Sequence, residues 1–146
     1  MPHAAHEKFK VDVVELHKFF VVWFRGGCEK SEGYFRQRFT SRFAQDFEYV
    51  LPGGDLLRLE ELTGVLYDAY ASSPDFEIKI QDVQTRYAGG STRDGDLAIV
   101  RYQELQKGAL NSAENNARIS SAVMKLDSDA PNGVVWLHLH ETLLPE

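Results

Sequence analysis

Four strand-like runs follow one another through the second half of the chain, at residues 75–88, 96–107, 116–127 and 133–144, joined by short connections rich in Gly, Ser, Asp, Asn or Pro. Such links leave no room for crossover helices, so neighbouring strands must pair antiparallel, as a meander. The first run also breaks its own alternation. Phe76, Ile78 and Ile80 hold one phase and Val83, Thr85 and Tyr87 the other, and because side chains alternate with period two, one extra residue near Gln81-Asp82 has to absorb the slip. A β-bulge there bends the sheet sharply, enough for it to wrap helices into a cone with a hollow mouth.

The first half supplies the helices. From about Lys10, residues Val13, Leu16, Phe20, Val21 and Phe24 recur at spacings of three and four, one helical face, until Gly26-Gly27 ends it. Residues 1–9 show no periodicity and read as a loose tail, which leaves 10–146 as a single domain. Ser31 is a good N-cap for a second, shorter helix with Phe35, Phe39 and Phe43 at every fourth position. A strand over Asp46 to Leu51 runs into the turn Pro52-Gly53-Gly54, and Asp55 can cap a third helix lined by Leu56, Leu59, Leu62, Leu66 and Ala69 up to Ser72-Ser73-Pro74. Three helices against a bent antiparallel sheet give an α+β fold, a cone-shaped half-barrel.

Composition narrows the function. A chain of 146 residues with 43% apolar content suits one core, and 16 Lys+Arg against 22 Asp+Glu leave a net charge of −6 with no basic run. Nucleic acid and anionic membranes are therefore poor partners. One cysteine, Cys28, cannot form an internal disulfide, so a cytoplasmic location is expected. Gly53-Gly54 and Gly89-Gly90 sit in turn and hairpin contexts, and the chain has no phosphate-cradling glycine loop before a helix, no nucleophile elbow and no cysteine metal cluster. No cofactor and no resident metal are expected.

The run Phe47-Glu48-Tyr49-Val50-Leu51-Pro52-Gly53-Gly54 ahead of Leu59-Glu60-Glu61-Leu62, and the closing run Trp136-Leu137-His138-Leu139-His140-Glu141-Thr142, resemble the opening and closing segments of small bacterial members of the nuclear transport factor 2-like superfamily, also called SnoaL-like or ketosteroid-isomerase-like. The closing run is also similar to that of the association domain of calcium/calmodulin-dependent kinase II. The order helix, helix, strand, helix, four strands resembles the same superfamily over nearly the whole chain. That resemblance implies the cone fold and pairing of two copies through the exposed sheet face. It does not select an activity, because isomerases, dehydratases, epoxide hydrolases, transport adaptors and oligomerisation modules share the frame.

Several side chains are candidates for chemistry. On a regular strand Trp136, His138, His140 and Thr142 share one face, which would be either the lining of the cone's mouth or a subunit interface. His138 and His140 could hold a metal only if a third ligand such as Glu104 converged on them. Tyr102 and Glu104 share a face of one strand and Arg118 a face of the next, so Glu104 and Arg118 could form an ion pair or, beside His140, a ligand clamp. Asp46 stands near the position where the resemblance implies a catalytic carboxylate, although the first helix carries no tyrosine to serve as the oxyanion donor of those isomerases. His17 lies beside the apolar stripe as a boundary histidine. The expected function is a module with an apolar pocket for a small apolar or aromatic ligand, edged by Tyr49, Tyr102, Glu104, Arg118, Trp136 and His138, or an oligomerisation module. An isomerase or hydratase with Asp46 or His140 as general base is the alternative.

Overall fold

The computed structural model describes residues 2–87, 93–109 and 115–145, and the Gly89-Gly90 turn lies outside them. In chain order come helices α1 (Pro2–Arg25) and α2 (Glu32–Arg38), strands β1 (Phe43–Val50) and β2 (Leu56–Arg58), helix α3 (Leu59–Asp68), and strands β3 (Glu77–Tyr87), β4 (Leu97–Lys107), β5 (Asn115–Leu126) and β6 (Val134–Leu143).

The start of α1 corrects the expected tail. Ala5 and Phe9 are buried in the core and extend the Val13–Leu16 stripe backwards at the same spacing, so the apolar face that makes the helix begins well before Lys10. At the other end Gly26 adopts φ 73, its N–H bonds the Trp23 carbonyl at 3.1 Å, and the Gly27 N–H bonds that of Val22 at 2.8 Å. Those two bonds satisfy carbonyls that the last helical turn would otherwise leave open. Ser31 caps α2 as expected, its hydroxyl accepting the Tyr34 N–H at 3.2 Å. Helix α3 starts later than its pattern suggests. Leu56–Arg58 forms a short strand that turns back on β1, and the Glu61 carboxylate caps the Arg58 N–H at 3.2 Å.

The sheet has the order β2-β1-β6-β5-β4-β3. β3 to β6 form the antiparallel meander, while β1 runs parallel to β6, which makes the whole sheet mixed. The bulge falls where the phase slip requires it: Gln81 faces Gln103 and Gln84 faces Arg101, two intervening residues against one, with Asp82 at φ 54. The curved sheet carries the helices on one side, and α1 residues Phe9, Val13, Leu16, Phe19 and Trp23 share one core with Val100, Ala122, Met124 and Trp136. No helix among the described residues is long and apolar enough to cross a membrane.

A second, polar contact ties α1 to the sheet. The buried Asp12 accepts from Arg42 Nη1 at 2.5 Å, from Asn132 Nδ2 at 2.9 Å and from Trp136 Nε1 at 2.6 Å. Without that carboxylate Arg42, at 5% side-chain exposure, would keep only the longer, 3.6 Å ion pair to the half-exposed Glu15. Asp12→Ala should therefore cost on the order of 3–5 kcal/mol, read as a lowered urea midpoint with an unchanged m-value.

Candidate functional site

A cavity of about 530 Å³ opens between the helices and the sheet. Its two walls differ in chemistry. Leu16, Phe20 and Phe24 of α1, Leu62, Val65, Leu66 and Ala69 around α3, and Phe39, Phe43 and Phe47 make one wall apolar and largely aromatic. The sheet wall carries Tyr49 of β1, Leu139 and Glu141 of β6, Arg118 of β5, and Glu104 and Gln106 of β4, with His17 reaching in from α1. A polar stripe thus crosses four adjacent strands.

The stripe is held together by hydrogen bonds and two ion pairs. His17 lies 2.7 Å from the Val13 carbonyl through Nδ1 and 2.8 Å from Glu104 Oε1 through Nε2. The Val13 carbonyl is an acceptor, and with Glu104 ionised the carboxylate is one too, so both ring nitrogens then donate and His17 is an imidazolium. Burial opposes that charge, but Glu104's carboxylate and hydrogen bond outweigh it and hold the His17 pKa above its ordinary 6.5. Burial likewise disfavours ionised Glu104, yet His17, a hydrogen bond from Gln106 and the nearby Arg118 charge keep it below its ordinary value. Arg118 Nη1 donates to Glu141 Oε1 at 2.9 Å, Ser120 Oγ donates to Oε2 at 2.8 Å, and the Tyr49 hydroxyl donates to Oε1. Burial, then Glu141, pushes the Tyr49 phenol far above its usual range, so Tyr49 stays a neutral donor.

Of the residues singled out from sequence, Tyr49, Glu104 and Arg118 meet on this wall. Glu104 and Arg118 face each other in register, but each takes a different principal partner, His17 and Glu141. Tyr102 and Trp136 are fully buried in the core and do not line the cavity. His138 and His140 are on the opposite side of the sheet, and the reason is a second bulge. Val123 pairs with His138 but Met124 with Trp136, so Leu137 is an extra residue and the phase of β6 inverts after Trp136. His138 instead bonds Glu48 at 2.8 Å, and His140 is exposed. Glu104 is thus separated from both histidines by the sheet, and the described residues contain no group of three metal-ligating side chains. Asp46 is exposed on β1, outside the cavity lining. Neither Asp46 nor His140 lines this cavity, so neither side chain is placed to take a proton from a guest held in it.

Comparison with solved structures agrees with this architecture. A nuclear transport factor 2-like protein of unknown function from Pseudomonas aeruginosa superposes with a TM-score of 0.77 at 25% identity, over 94% of this chain and 99% of the other. The chain has the nuclear transport factor 2-like fold. A nuclear transport factor 2-like superfamily protein from Salmonella enterica gives a TM-score of 0.65 at 10% identity, covering 100% of this chain and 95% of its own. The CaMKII hub of S. rosetta gives 0.60 at 15% identity, over 73% and 80%. No family model and no curated relative matches the sequence. Within the nuclear transport factor 2-like frame, the site residues that sequence reasoning missed are Glu141 and the charged role of His17. Glu141 sits in the Leu137–Leu139–Leu143 phase, where a carboxylate amid leucines was the available signal.

The ion pair sets a pH dependence. His17, raised, contributes stability below pH 6.5 that is lost as pH rises through its folded-state pKa, and Glu104, lowered, contributes stability above 4.5 that is lost as pH falls through its own. The stability gap between wild type and Glu104→Gln should be widest between pH 4.5 and 6.5 and narrow on either side. Urea titrations of both proteins across pH check this, with His17 imidazole NMR signals locating its titration.

Proposed function

We propose that this chain is a small-molecule-binding protein whose guest occupies the cavity between α1, α3 and the sheet. The asymmetry of the lining supports this: an aromatic and aliphatic wall can take up an apolar body, and the facing polar stripe can orient one polar end. At about 530 Å³ the space is in the range of sites that hold drug-sized molecules. Exposed Val65 and the apolar residues Leu66 and Ala69 place the entrance beside α3. The free Cys28 fits a cytoplasmic setting. Titration with a panel of small aromatic and steroid-like compounds should shift the methyl NMR signals of Leu62, Leu66 and Leu139, and Ala69→Trp, which fills the entrance, should abolish the shifts. Unmoved methyl signals across the panel would refute the proposal.

We also propose that the sheet's outer face pairs with a second copy of the chain. Leu97 and Ile99 are large apolar side chains standing in solvent, at 41% and 52% exposure, and Ile99 is in register with Val123 and His138 of the neighbouring strands. Large apolar side chains exposed on one side of a sheet are best buried against the same face of a second copy about a two-fold axis. Sedimentation equilibrium should give a dimer for the wild type and a monomer for Ile99→Lys, and a wild-type monomer at about 100 μM would overturn this.

A further inference from the structure

Two buried ion pairs face the cavity, and their charges sum to zero. His17 and Arg118 each carry +1, Glu104 and Glu141 each −1, and every one of the four side chains is at least 88% buried by the exposures of 4%, 12%, 4% and 5%. The pairing is also local: His17 is saturated by Glu104 and the Val13 carbonyl, and Glu141 receives Arg118, Ser120 and Tyr49. Among the described residues the remaining charged group of the lining, Asp68 at the end of α3, is exposed, where water and salt screen it.

We infer that the guest of this cavity is electrically neutral and carries a hydroxyl or similar neutral donor-acceptor head that meets Glu104, Arg118 and Glu141. This inference rests on the small-molecule reading above and adds the ligand class. An anionic head would bring a third negative charge beside two carboxylates while Arg118, the one arginine among the described lining residues, is already neutralised by Glu141. A cationic head would meet Glu104 already neutralised by His17. Either ion would lose its hydration and gain no free counter-charge, and a buried unpaired charge is far costlier than a buried hydroxyl. A neutral hydroxyl fits the remaining valences. Each carboxylate oxygen has two lone pairs, and Glu104 Oε1 and Oε2 and Glu141 Oε2 each have a single protein donor, so acceptor capacity is left over. Arg118 has five N–H donors and spends Nη1 on Glu141, so its guanidinium can donate to the guest's oxygen.

Four probes that share one ring system test this at pH 7 by isothermal titration: 1-naphthol, 1-naphthoate, 1-naphthylmethylammonium and 1-methylnaphthalene. Binding of 1-naphthol about tenfold or more tighter than either ion, and several-fold tighter than 1-methylnaphthalene, is expected. Two variants move the charge in opposite directions. Glu141→Gln leaves Arg118 in surplus and should raise naphthoate affinity about tenfold, whereas Arg118→Met leaves a carboxylate in surplus and should do the same for the ammonium. Circular dichroism confirms that each variant is folded, and either alone carries the charge test. An ion that binds the wild type as tightly as 1-naphthol, or a folded variant that leaves the ranking unchanged, overturns the neutral-guest inference while the small-molecule reading stands. Equal binding of 1-methylnaphthalene and 1-naphthol overturns the polar head alone. If none of the four binds, the small-molecule reading fails and this inference with it.

Discussion

Helix α1 cannot settle on the sheet through apolar contacts alone, because its buried face carries two ionisable residues. Asp12 and His17 are five positions apart, about 7.5 Å along the axis, and both point into the interface among Val13, Leu16 and Phe9. Each is costly to bury unless it finds an opposite charge across the gap. Asp12 finds Arg42 from the turn before β1, with the Trp136 indole as a further donor, and His17 finds Glu104 from β4. Apolar faces can slide and rotate against one another at small expense, whereas two charged contacts at fixed separation admit one placement of the helix. That placement fixes how far the helix stands off the sheet, and with it the width of the cavity.

The second consequence concerns the sheet. Its inner face must be core under the start of α1 and polar where α1 runs towards Phe20 and Phe24, and regular alternation cannot supply both patterns on β6 from one phase. The bulge at Leu137 solves this by letting Trp136 point into the core and Glu141 point into the cavity on the same strand. The bulge in β3 at Asp82 bends the other end of the sheet. The curvature that makes the hollow and the residue set that lines it therefore come from the same kind of local irregularity.

That shared origin explains what could be read from the sequence. Elements with uninterrupted period were legible: the stripe Val13, Leu16, Phe20, Phe24, the Ser31 cap, and the four long strands, whose observed limits differ from the reading by a residue or two. The β3 bulge was legible too, because apolar residues stand on both sides of the slip. The β6 bulge was hidden because Val134, Val135, Trp136, Leu137 and Leu139 are apolar in both phases, so the period is silent about where the inversion falls. Trp136 therefore reads as sharing a face with His138 and His140, a face left open between cavity lining and subunit interface, and Glu141 does not stand out as a site residue. Glu104 and Arg118 were legible because β4 and β5 run in register without interruption, with Glu104 opposite Arg118, and Tyr49 because it shares the alternating phase of Phe47 and Leu51. His17 could be placed beside the stripe, but its charge depends on Glu104, 87 positions away, and no local pattern encodes that.

Packing alone does not explain the polar stripe. Replacing a buried ion pair by apolar side chains of similar volume is often neutral or stabilising, and a chain already rich in Phe could have filled the space between α1, α3 and the sheet. Instead it keeps a cavity and pairs two carboxylates with two cations along one wall of it. The His17–Glu104 pair helps to dock α1, but Arg118 and Glu141 pair with each other on β5 and β6 without touching the helix, so docking does not account for the whole stripe. Its position is what distinguishes it: Asp12 and Arg42 lie outside the cavity lining, whereas His17, Glu104, Arg118 and Glu141 all belong to it. Charges that face a hollow are hydrated by the water inside it until a guest displaces that water, and their preorganised pairing lowers the cost of the exchange for a guest able to replace the lost hydrogen bonds. With the small-molecule guest proposed above, the stripe has a role that packing alone does not give it.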